Sequence, residues 1–451
     1  MKTNSHKKKH EKSIIEEKLK TIPIKKLSKQ SGFCKRKPRK IKPKNLLLAF
    51  LLTIWGSKKN TYGSWANKIG ILINDTVSRQ AICKRVQETL VVFLQNVLKA
   101  IIEDTVGSKI QGAIAEKLKQ FKRILIEDST CIKLNNKLEP EYPGSRNNRE
   151  KNHAILKIQT TYEVIKRRFI RFKMTNFRKN DQGYSPEITE IAKPGDLVIR
   201  DLGYFVIEVF KKLQNKGVEF ITRIRRDENI YGKKDEKPID LAKMLKKRGD
   251  LDIKVFIGEA ERLPVRLIAI PVEDEIANLR RMKAKTNRDR RLNPSKKYLF
   301  LLGWDLFITN VSKEKISCKD ISAIYSIRWR IEIIYKCWKS YLGITNVMHN
   351  TNKTRLETFI YCMLIFIVLF QVHFYNYYLC KLSKKKPKED IQISMMKLMQ
   401  FISNNISCLF SINYFKNNDW NKLLDKQIPY YCAYEHRKDR MNFNQLLLKL
   451  S

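Results

Sequence analysis

Residues 45–108 carry apolar positions at helical spacing. "NLLLAFLLTIW" (Asn45–Trp55) is apolar on nearly every side, the pattern of a buried helix. A second helix is expected near Trp65–Gly70, a turn at Asn74–Asp75, and a further helix from Ser78, whose hydroxyl suits an N-cap. In that last helix Ile82 and Val86 would face inward, leaving Arg79, Gln80, Lys84 and Arg85 outward in a helix-turn-helix-like hairpin. The period changes near residue 109. "RILIEDST" (Arg123–Thr130), "ILKIQTTYEVI" (Ile155–Ile165), "RRFIRFKMT" (Arg167–Thr175), "DLVIRDLGYF" (Asp196–Phe205) and "VEFITRIR" (Val218–Arg225) read as strands. Their order with the intervening helices, β-β-β-α-β-α-β, predicts an α/β fold with a mixed sheet over 109–225. Residues 226–304 interrupt it with strand-like "LDIKVFIGEAERLPVRLIAIPV" and "KKYLFLLGWDLFITNVS", separated by a basic stretch. A β-rich insertion is expected there, and residues 305–345 return the chain to the first fold through a helix over Tyr325–Ile344. Residues 346–451 read as mostly helical. Within them, "FIYCMLIFIVLFQVHFYNYYL" (Phe359–Leu379) comes near a membrane span, but Gln371, His373 and Asn376 break its second half. Its unbroken apolar run is short of the roughly 20 residues a span needs, so a buried helix and no membrane contact are expected.

Charge narrows the function. The 451 residues hold 91 Lys and Arg against 45 Asp and Glu, a formal charge of +46. Such an excess, spread along the chain, predicts a polyanionic partner, and nucleic acid before a membrane surface. Residues 1–44 form a basic, proline-punctuated arm, either a solvated tail or a DNA contact. The same argument turns Arg79, Lys84 and Arg85 into candidate DNA contacts. Nine scattered cysteines with no C-x-x-C pair argue against a disulfide framework or a zinc site and fit a reducing cytoplasm. The first residues hold no apolar core of a signal peptide.

The chemistry is concentrated in "YSIRWRIEIIYKCWKSYLGI" (Tyr325–Ile344), where Glu332 is a single carboxylate among four cations. On one continuous helix, Tyr325, Arg328, Glu332, Lys336 and Lys339 would share an arc of roughly 60°. An ordinary Arg–Glu pair on a surface helix would account for Arg328 and Glu332 but not for the cation excess. Two strands deliver aspartates at their C-terminal ends, Asp128 and Asp201. Two strand-end aspartates and a helical glutamate make a hard-oxygen set of the kind that holds two Mg²⁺ ions for phosphodiester chemistry. Strand-end acids are common without such a role, so the pattern alone leaves both readings open. Glu127 should point to the opposite side of its strand from Asp128. Asp181, in a loop, and the isolated His153 and His349 are expected to stand outside the chemistry.

The spacing Y-x2-R-x3-E-x6-K at Tyr325, Arg328, Glu332 and Lys339 resembles the YREK signature of DDE transposases of the insertion-sequence type-four family. "LIEDST" around Asp128, "DLGYF" after Asp201, "YPGSRNNREKNHAILKIQ", "NDQ" (Asn180–Gln182) and "VSRQAICKR" resemble its other segments, so the likeness covers most of the chain. It implies an RNase H-like catalytic core interrupted by a β-rich insertion, with helical N- and C-terminal regions. It implies Asp128, Asp201 and Glu332 as catalytic metal ligands for two Mg²⁺ ions, with Mn²⁺ able to substitute. It further implies cut-and-paste transposition: nicking at the element ends and strand transfer into target DNA. Arg328 and Lys339 would grip phosphates, Tyr325 would hydrogen-bond one, and Lys336 would lie beside them. Some relatives pass through a hairpin with a flipped base stacked on a tryptophan; Trp304 resembles that tryptophan and Arg223 a cation at the distorted end. Expected partners are double-stranded DNA, both terminal inverted repeats and target, and a second copy of the chain bound through residues 346–451. The expected setting is a prokaryotic cytoplasm, at the nucleoid. A DNA-binding protein without catalysis and a host RNase H-like nuclease are the competing classes. Loss of an acid would have favoured the first, and the second has no need of the YREK residues.

Overall fold

The computed structural model describes residues 19–56, 61–104, 116–145, 153–233, 237–286, 293–347, 349–385, 393–405 and 420–433. The first part of the basic arm, most of "SRNNREKN" and part of the basic stretch before Lys296 lie outside them. From Leu19 the arm is part of the fold: Leu19, Ile22, Ile24 and Ile41 are buried in the larger core.

Four helices follow in the N-terminal region: α1 (Pro43–Gly56), α2 (Tyr62–Ile73), α3 (Arg79–Cys83) and α4 (Glu88–Glu103). Thr61 and Ser64 form a reciprocal cap at the start of α2, and Asn74 ends it in the left-handed region at φ 53°. Ser78 caps α3 through the Ala81 amide at 3.1 Å. The helix expected from Ser78 stops after five residues, and the chain turns again before α4. α4 lays an apolar face, including Phe93, Leu94 and Val97, into the core.

Nine strands form one sheet: β1 (Arg123–Lys133), β2 (Ile155–Glu163), β3 (Arg168–Asn176), β4 (Asp196–Arg200), β5 (Glu219–Arg223), β6 (Ile230–Tyr231), β7 (Leu251–Ile257), β8 (Leu263–Pro271) and β9 (Trp304–Thr309). Their spatial order is β3-β2-β1-β4-β5-β9-β8-β7-β6. β1, β4 and β5 run parallel; every other pairing is antiparallel. The β3-β2-β1-β4-β5 half with its flanking helices is the mixed α/β fold expected from the strand order, and matches the RNase H-like core that the resemblance implies. α5 (Ile207–Asn215) crosses between β4 and β5.

The insertion is more helical than its pattern suggested. It holds α6 (Leu241–Arg248), α7 (Asp274–Lys285) and α8 (Lys296–Leu301) beside its strands. "KKYLFL", read as strand-like, is α8, because a short apolar run looks alike in both states and the Ser295 hydroxyl caps the Tyr298 amide. The insertion also continues the core sheet: β9 pairs with β5 on one side and β8 on the other.

The helix expected over Tyr325–Ile344 is two: α9 (Cys318–Ser326) and α10 (Trp329–Tyr341), with a tight turn at Ile327–Arg328. Three-residue hydrogen bonds mark the break, from the Arg328, Arg330 and Ile331 amides to Tyr325, Ile327 and Arg328 carbonyls. α11 (Lys353–Phe370) then runs through the core with nearly every side chain buried. By length and composition the segment Lys353–Lys381 could cross a membrane, yet 88% of its most apolar window is buried inside the fold. Its polar residues are used internally: Gln371 donates to Asn376 at 3.0 Å, and Asn376 donates to the Arg167 carbonyl at 3.0 Å. One apolar layer joins α1, α4, α10 and α11 to one sheet face; a second joins α5 and the insertion to the other.

Candidate active site

Register brings the two aspartates together. Glu127 of β1 is level with Arg200 of β4, and these are the last partners of that parallel pair. The next residue along each is an aspartate: Asp201 follows the last residue of β4, at the carboxyl end where open α/β sheets place their sites, whereas Asp128, expected to end its strand, lies within β1, which passes its last partner on β4 and runs on to Lys133 beside β2. Asp128 is fixed by the Ser129 amide, 2.8 Å from its Oδ1. Asp201 caps the turn Leu202–Tyr204, accepting from the Gly203 amide at 3.3 Å.

α10 adds the third acid, Glu332, and the turn before it adds a cation between all three. The Arg328 guanidinium lies 2.8 Å from Glu332 Oε1, 3.7 Å from Asp128 Oδ2 and 3.8 Å from Asp201 Oδ1. Its side chain is only 8% exposed, whereas those of Asp201 and Glu332 are 42% and 37% exposed. Burial pushes the Asp128 carboxyl up to about 7; the Ser129 amide and Arg328 oppose the rise, and Asp201 and Glu332 add to it. Among the described residues, no three acids converge closely enough to grip one ion as they stand. The donor set nonetheless fits a hard divalent cation: three carboxylates face one positive centre, two of them open to solvent.

The remaining sequence candidates fall at different distances from this centre. Lys336 and Lys339 are exposed on α10 and line, with Asp128 and Glu332, an open cleft of about 390 Å³. Tyr325 is not on the same helical arc: it lies in the last turn of α9, is 3% exposed, and packs tilted against Phe307 with ring centres 5.2 Å apart. Its hydroxyl is buried beside Arg328 without a well-formed hydrogen bond. Arg223, at the end of β5, lies over the Tyr325 ring at 5.3 Å and 3.7 Å from Asp305. Trp304 opens β9 half-buried, packed beside Phe300 on the insertion side. Arg79 and Lys84 are exposed near α3; Arg85 is half-buried and donates to the Ala81 carbonyl at 2.6 Å.

Two features were not read from the sequence. Tyr335, one turn beyond Glu332, donates its hydroxyl to the Asp128 main-chain carbonyl at 2.7 Å, pinning α10 to β1. Asp181, expected to stand apart, accepts from the Ser129 hydroxyl at 3.1 Å, directly behind Asp128. Only helical spacing from Glu332 hinted at Tyr335; nothing local signals the cross-strand position of Asp181. Glu127 does point to the other face, fully buried and 2.5 Å from Arg200.

Comparisons with known proteins give the family. A family model described as a transposase DDE domain matches residues 119–367, more than half of the 451-residue chain. The chain is 27% identical over 424 residues to the transposase for insertion sequence element IS231B of Bacillus thuringiensis subsp. berliner, covering 89% of this chain and 86% of that one. It is 28% identical over 410 residues to the IS231C transposase of the same organism, covering 86% and 83%. It is 26% identical over 370 residues to the IS1151 transposase of Clostridium perfringens, covering 77% and 76%. With a transposase DDE domain matched over more than half of its length and relatives aligned along most of it, the chain belongs to the DDE transposases of insertion sequences.

Proposed function

We propose that this transposase cuts DNA at the terminal inverted repeats of its element and joins the freed ends to target DNA, a metal-dependent cut-and-paste reaction centred on Asp128, Asp201 and Glu332. The observation that carries the reading is the meeting of these acids around Arg328, where the parallel pairing of β1 and β4 ends. Two Mg²⁺ ions, or Mn²⁺ in their place, would supply an activated attacking oxygen and a stabilised leaving oxygen. The protein's own part is placement. The Ser129 amide orients Asp128, and Tyr335 holds α10, with Glu332, against β1. Arg328 offers a fork suited to a phosphate, and Lys336 and Lys339 extend that charge along the cleft. Arg223, backed by Tyr325, adds a cation at the rim, and Trp304 offers an aromatic face for an unstacked base. Arg79, Lys84 and Arg85 contact duplex DNA from the N-terminal region, and residues 346–451 pair two copies across two ends. The setting is the nucleoid of a prokaryotic cytoplasm.

The test is cleavage of a labelled duplex carrying the repeat that flanks the gene, with Mg²⁺ or Mn²⁺ at moderate salt. Wild type should nick at the repeat boundary, and Asp128→Ala and Glu332→Ala should fall to background. A hairpin product lost in Trp304→Ala would support the aromatic role. Specific binding without cleavage would instead make the chain an end-occupying protein.

A further inference from the structure

We infer that Asp181 is a positioning residue of the reaction, acting through Ser129 on Asp128 and through the Gly203 turn on Asp201; the inference rests on the catalytic reading above. One oxygen of Asp181 collects three donors: Ser129 Oγ at 3.1 Å, Lys157 Nζ at 3.2 Å and Gln159 Nε2 at 3.1 Å. All three lie on the same face of adjoining strands, since Ser129 is level with Gln159 and Cys131 with Lys157. Ser129 therefore has two engagements: its hydroxyl is held by Asp181, and its amide holds Asp128 at 2.8 Å.

The other oxygen of Asp181 faces the turn that carries Asp201. A methyl group on Gly203 would meet Asp181 Oδ2 at 3.3 Å and Asp201 Oδ2 at 3.7 Å, so Gly203 is the spacer between the two acids. The following residue, Tyr204, donates its hydroxyl to Gln159, closing the frame. Asp181 thus joins β1, β2 and the turn after β4, which together fix both aspartates.

Lys157 explains why a fourth acid is tolerated here. Its side chain is 6% exposed and salt-bridged to Asp181. A buried lysine needs a partner, and a carboxylate behind two others needs a cation. The pair supplies both without adding net charge to the metal side.

The experiment uses the full chain, with Mn²⁺ as the probe. Mn²⁺ affinity is read by calorimetry, cleavage of the end duplex as kcat and KM, and folding by the thermal midpoint. Asp181→Ala and Ser129→Ala should each weaken Mn²⁺ binding and lower kcat by roughly 10- to 100-fold, as loss of a partner behind a metal ligand does. KM for DNA should stay within about twofold, and Ser129→Thr, which keeps the hydroxyl, should recover both losses. Should Asp181→Ala not fold, Ser129→Ala decides. Wild-type cleavage matched by Ser129→Ala at the same Mn²⁺ dependence overturns this inference alone. A wild type that neither binds Mn²⁺ nor cleaves overturns the catalytic reading, and this inference with it.

Discussion

A proton on Asp128 removes the cost of burying its charge and, to a smaller extent, relieves the crowding of three carboxylates around Arg328. Its raised value, about 7, means that the folded protein binds this proton more tightly than the unfolded chain does. The stabilisation is full below pH about 4 and is lost as pH rises through about 7. The metal-free protein should therefore have a lower thermal midpoint at pH 8 than at pH 6. Asp128→Asn should flatten that slope and be the more stable of the two at pH 8. Arg328→Gln should steepen it, costing about 2 kcal/mol at pH 8 for the lost charged hydrogen bond and less at pH 6. At this scale Asp128 and Asp201 stood out because each closes an apolar run in the sequence, although β1 proves to run past Asp128 to Lys133. Asp181 and Tyr335 were not, because their value lies in which strand and which carbonyl they meet, and register is set by pairing across the sheet.

The glutamate reaches the site on an element that is anchored at two levels. Trp338 packs against Phe169, Phe172 and Tyr335 with ring centres 5.9, 5.9 and 5.1 Å away, while the Tyr335 hydroxyl grips β1. Trp338→Ala should cost roughly 3–5 kcal/mol in denaturant unfolding. Tyr335→Phe removes one hydrogen bond and should cost only about 1 kcal/mol. Activity should nonetheless fall further than that stability loss implies, since the helix carrying Glu332 would lose its tie to Asp128. The break between α9 and α10 escaped the sequence reading for a physical reason. No Gly or Pro marks it, and Ile327 and Arg328 are acceptable in a helix; the turn is imposed by packing, with Ile327 fully buried and Arg328 drawn to the acids. That turn is also what lets Arg328 stand just ahead of α10 and still face β1 and β4.

Across the whole molecule the insertion is one sheet with the core, not a separate lobe. Thr309 of β9 is level with both Ile221 of β5 and Arg266 of β8, and its hydroxyl donates to the Phe220 carbonyl at 2.6 Å. Replacing residues 226–303 with a short linker should leave β9 with an unpaired edge and yield aggregated protein on size exclusion. The sequence announced strands here but not their neighbours, because a pairing across some 90 residues leaves no local mark. The same continuity bears on synthesis. Asp128 and Asp201 emerge early from the ribosome, but Glu332 and the Arg328 turn follow only after the insertion, and the buried α11 later still. Domains fold as units while the chain is made, so a chain that stops between Asp201 and Glu332 carries two acids of three and no closed core. If the three acids act together as proposed, the order of residues along the chain withholds the site from every copy that stops short of Glu332.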